Sequence, residues 1–155
     1  MKLKQVLEKI DNFNTNEKTE EYEIIAFFDE IGDNFPIIET LGNNEKKLAV
    51  ETLFNYLNRQ SPDLEENWSF IHLIEAIDKP DFKNYDSQLI KINKKNPNLT
   101  SLILLNRYTN ALSSKAREME MAINLLKEIS ENSTIPELVI NEAKDYYNYQ
   151  LEKIK

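Results

Sequence analysis

Cysteine is absent from this 155-residue chain, histidine occurs once and glycine twice. Without thiols there are no disulfides, no thiolate nucleophiles and no cysteine-based zinc or iron–sulfur sites. A single imidazole does not build a multi-histidine metal centre. The scarcity of glycine removes phosphate-cradling Gly-rich loops, and neither a nucleophile elbow nor a kinase signature occurs. No stretch approaches the roughly 20 apolar residues of a membrane helix. Met1 to Asp11 mixes Lys and Glu with single apolar residues, where a signal peptide needs a continuous apolar run. We therefore expect a cytoplasmic protein with no membrane association, no cofactor and no metal, in which the sequons at Asn98 and Asn132 are formal matches only.

What is plentiful is charge and helical periodicity. Apolar residues make up 41% of the chain, and 27 acidic against 19 basic side chains leave a net charge of −8. At this length a chain buries roughly two-thirds of its unfolded surface, enough for one helical domain over residues 1–155 without staples. Apolar residues recur at three and four throughout, the signature of amphipathic helices.

Leu3, Val6, Leu7 and Ile10 line a first short helix. Glu17 to Ile31 follows, with Gly32 placed for a left-handed C-terminal cap. Glu45 to Gln60 forms a third helix. Ser61-Pro62 has the residue types of a cap and first turn for a helix over Asp63 to Lys79, which Pro80 ends. Asp81 to Lys94 carries the stripe Phe82, Tyr85, Leu89 and Ile92, and Asn98 to Leu112 is apolar nearly all round. Ser113-Ser114 starts Lys115 to Glu131, and Thr134 with Pro136 starts the last helix. The expectation is all-α: about eight antiparallel helices, as a HEAT-like repeat of helix pairs, given Pro starts 35 and 39 residues apart, or as a compact irregular bundle.

Charge is polarised along the chain. Residues 17–39 hold eight acids and one Lys, residues 63–86 hold seven acids and two Lys, and residues 87–117 hold six basic residues and no acid. Solvated outer faces account for such segments in any helical protein; the functional reading is a negative docking surface that steers a basic partner. The basic residues Lys91, Lys94, Lys95, Arg107, Lys115 and Arg117 spread over three helices without a reader motif, so nucleic acid is not expected as a partner.

The densest group of unusual residues runs from Glu65 to Glu75. On a helix Glu65, Trp68, His72 and Glu75 share a face. Two readings of His72 stand side by side. In one it is a semi-buried imidazole in a structural polar network with Glu75, Asn106 and Arg107. In the other it belongs to a recognition surface in which Trp68 and Tyr85 are aromatic anchors rimmed by Glu65, Glu66, Glu75 and Asp78, with Glu20, Glu21 and Glu23 adding charge. An acid–base pair of His72 and Glu75 lacks a nucleophile with any local signature, and no catalytic residue is expected. Asp29 to Asn34 has acids but not the spacing of a calcium loop.

The run Asn67-Trp68-Ser69-Phe70-Ile71-His72-Leu73-Ile74-Glu75, followed by Tyr85, Leu89 and Leu104-Leu105-Asn106-Arg107-Tyr108, resembles small helical immunity proteins of bacterial polymorphic-toxin and contact-dependent inhibition loci. The resemblance covers about residues 63–130, with Trp68, His72, Glu75, Tyr85, Asn106 and Arg107 at the matching positions. It implies a cytoplasmic, non-enzymatic protein that binds and neutralises a cognate basic toxin domain, often a nuclease. The alternative is a helical-repeat adaptor for protein–protein interaction with no toxin partner.

Overall fold

The computed structural model describes residues 1–112 and 115–155. Among the described residues the chain is all-α, with eight helices and no strand. These are α1 (Leu3–Asn12), α2 (Glu21–Asn34), α3 (Asn43–Arg59), α4 (Trp68–Ala76), α5 (Lys83–Lys95), α6 (Leu99–Ala111), α7 (Ala116–Ser130) and α8 (Glu137–Lys153), with a short 3-10 turn at Ile38–Thr40. Among the described residues no helix is long and apolar enough to cross a membrane.

The backbone divides into two compact units, Met1–Gln60 with Glu66–Gln88, and Ser61–Glu65 with Leu89–Lys155. In the first, α1 packs against α3 and α2 against α4. Pairing that skips one element makes this unit a packed helical bundle rather than a row of consecutive hairpins. Its centre is aromatic: the ring of Phe28 lies 4.9 Å from Tyr56 and 5.0 Å from Phe70, both tilted toward edge-on, and Phe13 stacks on Phe27. Burying a ring such as Phe28 contributes about 2–3 kcal/mol, and the edge-to-face geometry adds to it. Arg59 donates to the carbonyls of Ile10 (3.1 Å) and Phe13 (3.4 Å) at the end of α1, adding to the Phe13 N–H that the Ile10 carbonyl already accepts.

In the second unit α7 and α8 form the closest helix pair, and α6 packs against both. Leu102, Leu105, Leu126, Ile129, Val139 and Ala143 are the buried centre of this packing. The entry to α6 is held by a buried polar cluster. Asn98 and Ser101 cap each other reciprocally, at 2.8 and 2.9 Å, and the Asn93 amide donates to the Ser101 carbonyl at 3.1 Å.

Two expected boundaries move, each for a physical reason. Ser61-Pro62 does not start a helix, because the Pro62 carbonyl accepts from Leu99 N–H at 3.0 Å and the Leu64 carbonyl accepts the Thr100 hydroxyl at 3.1 Å. That segment is committed to the start of α6. The fourth helix begins instead at Trp68, where the Asn67 side chain accepts from Phe70 N–H. Gly32 is not a left-handed cap either: its backbone is helical and α2 runs on to Asn34, whose amide donates to the Glu30 carbonyl at 2.9 Å. The left-handed backbone in this structure falls on Phe82 instead, at φ 55°. The start expected at Ser113-Ser114 lies outside the described residues.

Candidate functional site

The pairing of α2 with α4 leaves an open groove of about 490 Å³ in the first unit. Phe28, Asp29, Gly32 and Asp33 of α2 line one side, and Ser69, His72 and Leu73 of α4 the other. The two helices are joined across it by the Ser69 hydroxyl, which donates to the Asp29 carboxylate. Phe28 anchors the groove in the aromatic centre beneath. Trp68 stands beside it at the head of α4, 58% exposed, with its ring 5.5 Å from that of His72.

Around this groove several locally unfavourable choices coincide. Gly32 costs α2 up to about 1 kcal/mol relative to Ala. Asp29 and Asp33 are like charges one turn apart, and Asp33 places a negative charge in the last turn, against the helix dipole, at a few tenths of a kcal/mol each. The last turn of α2 contains no basic residue. Trp68 leaves most of its surface outside the core. Departures from local consistency that cluster at one place are the pattern expected of a functional surface.

The structure sorts the expected recognition residues into two sets. Trp68, His72, Glu65, Glu20, Glu21 and Glu23 are exposed, and Glu75 is half-buried. His72 is therefore not the semi-buried imidazole of the network reading; it lies open to solvent against Trp68. Glu66, Asp78 and Tyr85 are withdrawn from the surface, at 6%, 6% and 4% exposure. The Tyr56 hydroxyl donates to Glu66 at 2.5 Å. Burial pushes the Glu66 carboxyl up to about 7, against the opposing pull of the Tyr56 hydrogen bond. The Tyr56 hydroxyl is itself held well above the usual phenol range, first by burial and then by the Glu66 charge. Asp78 accepts from the backbone N–H groups of Asn84 (2.7 Å) and Tyr85 (2.9 Å) and from the Asn84 amide (3.1 Å), which makes it the cap of α5. Tyr85 packs its ring 5.8 Å from Phe54.

Glu20, Glu21 and Glu23 sit at the first turn of α2, roughly 9–20 Å along the helix from Asp29 and Asp33 at 1.5 Å per residue. Part of their charge is used locally: Glu23 accepts from the Glu20 N–H at 2.7 Å. On α6, Asn106 accepts from the Gln150 amide at 2.7 Å, and Arg107 is half-buried. Among the described residues no three His, Asp or Glu side chains are grouped to hold a metal ion.

Asp29, Gly32, Asp33 and Ser69 were not among the residues expected at a site. The signal for the first three is the i, i+4 pairing of two acids across a glycine with no nearby lysine. No protein-family model, curated protein or solved structure matches the chain.

Proposed function

We propose that this chain is a non-catalytic immunity protein, which neutralises a basic toxin domain by docking the exposed face of α2 and α4 onto it. The observation that carries this reading is the coincidence of the exposed Trp68 with the acidic groove of Asp29 and Asp33. Interface hot spots combine a large aromatic anchor with complementary charge around it. The carboxylates stand in for the phosphates that a nuclease cleft is built to hold, and Trp68 supplies the anchor area. Trp68 and His72, two positions of the family resemblance, flank the groove. The encounter belongs to the cytoplasm, where a delivered toxin meets its target.

The neighbouring gene is expected to encode a toxin domain, and co-expression with that domain tests the reading. Cells carrying the wild-type chain survive, and Trp68→Ala loses protection while remaining folded. Absence of rescue by the wild-type chain, or full rescue by Trp68→Ala, would overturn it.

A further inference from the structure

We propose that a cavity of the second unit, lined by α5, α6 and α7, is the surface through which this chain pairs with a second copy of itself. The cavity measures about 300 Å³. Its base is apolar: Ala122 and Leu125 of α7 are buried, and Ile90 of α5 and Tyr108 of α6 are half-buried against the same core. Met121 of α7 stands at its edge with 59% of its surface exposed. A thioether left in water is a flexible apolar group that fits itself to an irregular partner surface. Along α7 the lining runs from Glu118 to Glu128, roughly 15 Å at 1.5 Å per residue, so the cavity is an elongated furrow.

The charges at its edges select what covers it. α5 contributes Lys94, and α7 contributes Glu118 and Glu128. All three are exposed, and among the described residues Lys94 forms no ion pair with either acid. The furrow therefore has a positive edge and a negative edge that do not neutralise each other across it. A partner surface of one sign satisfies one edge and is repelled by the other. The surface that satisfies both carries the same two signs in opposite order.

A second copy supplies that surface. In a two-fold pair whose axis lies along the furrow, each edge meets the opposite edge of the other copy. Lys94 of each copy then faces the acids on α7 of the other, and the exposed Met121 of each comes to the side where the other carries Ile90. The symmetry makes every favourable charge contact twice. A net charge of −8 makes copies repel at long range, and a face of mixed sign is where that repulsion is least.

Sedimentation equilibrium of the full chain, from about 10 µM to about 1 mM, tests the pair. A monomer–dimer equilibrium without higher oligomers is expected, since a two-fold contact closes on itself. Met121→Gln is expected to weaken dimerisation about tenfold. Lys94→Glu makes both edges negative, and the double change Glu118→Lys with Glu128→Lys makes both positive. Each is expected to be monomeric over the same range with an unchanged circular-dichroism spectrum. Mixed together, the two variants are expected to pair, although both remain net negative. One chain carrying all three reversals exchanges its edges and is expected to dimerise again. Lys144→Glu alters the net charge as Lys94→Glu does, but it lies on α8 outside the furrow and is expected to dimerise like wild type.

A wild-type chain that stays monomeric throughout, or a Lys94→Glu variant that dimerises as well as wild type, would overturn the proposal and leave the furrow to a partner of different sequence. If the reversed variants are each monomeric and do not pair when mixed, the opposite edges are not in contact and the two-fold arrangement falls. None of these residues belongs to the docking face of α2 and α4, so the pair and the docking role stand or fall independently.

Discussion

Glu65 and Glu66 are neighbours of identical chemistry, yet one is solvated and the other buried against Tyr56. The consequence is a pH dependence of known sign. Glu66 is raised from 4.5 to about 7 by burial, so between those values the folded chain keeps a proton that the unfolded chain has released. Stability is therefore greatest below about pH 4.5, as far as this group is concerned, falls as pH rises through the window, and levels off above 7. The full effect is on the order of 3 kcal/mol. Glu66→Gln is expected to lose that slope, gaining on wild type between pH 5 and pH 8 in urea midpoints; an unchanged slope would assign the dependence to another group. Trp68 behaves in the opposite way. Being exposed, Trp68→Ala is expected to alter stability by no more than about 0.5 kcal/mol, while affinity for a partner docked there falls by about tenfold or more. Charge and aromatic content were visible in the chain, but the split between Glu65 and Glu66 was not, because it depends on a tyrosine of α3.

Helix boundaries follow from the same competition for backbone groups. Pro80 is expected to end a helix running to Lys79, but α4 stops at Ala76, and the next helix starts at Lys83, where the Asp78 carboxylate gathers the Asn84 and Tyr85 N–H groups. Asp78→Ala leaves these donors without their acceptor and is expected to cost about 2 kcal/mol, read from urea unfolding followed by circular dichroism. Asp78→Asn, which keeps one acceptor oxygen, is expected to cost less; equal losses would mean that charge rather than capping dominates. At the start of α6, Ser101→Ala removes the hydroxyl that accepts from the buried Asn98 N–H, with an expected loss of about 1–2 kcal/mol. The periodic interiors of the helices were legible from apolar spacing alone. Their ends were legible to within a residue where the cap is local, as at the start of α6, although the cap there is Asn98 and not the Asn96-Pro97 pair that has the residue types of one. Ser61-Pro62 has the residue types of a start, but the Pro62 and Leu64 carbonyls serve α6, some 35 residues on.

The net charge of −8 is not evenly available to a partner. Of the acids in residues 63–86, Glu66 and Asp78 lie inside, whereas Asp29, Glu30 and Asp33 of α2 face outward. The field that a partner meets is therefore weighted toward α2 more than the segment totals suggest. If docking uses this face, the association rate with a basic partner domain is expected to fall by about tenfold or more from 50 to 500 mM salt, with a much smaller change in dissociation rate. Stopped-flow measurement of both rates checks this, and a salt-independent association rate would remove electrostatic steering from the account.

Fold class was decided by short-range information: apolar residues at three and four, almost no glycine and no alternating segments are properties of neighbouring residues, and they select helix wherever the chain is placed. The polarity of the acidic segments was decided in the same way. Which acids reach water was not, nor was the existence of a groove, since these depend on contacts such as Tyr56 with Glu66 and Asp29 with Ser69, the latter pair 40 residues apart. Gly32 shows the difference most directly. Its lack of a side chain reads locally as a helix end, yet in the structure it is helical and lines the groove that the packing of α4 against α2 creates.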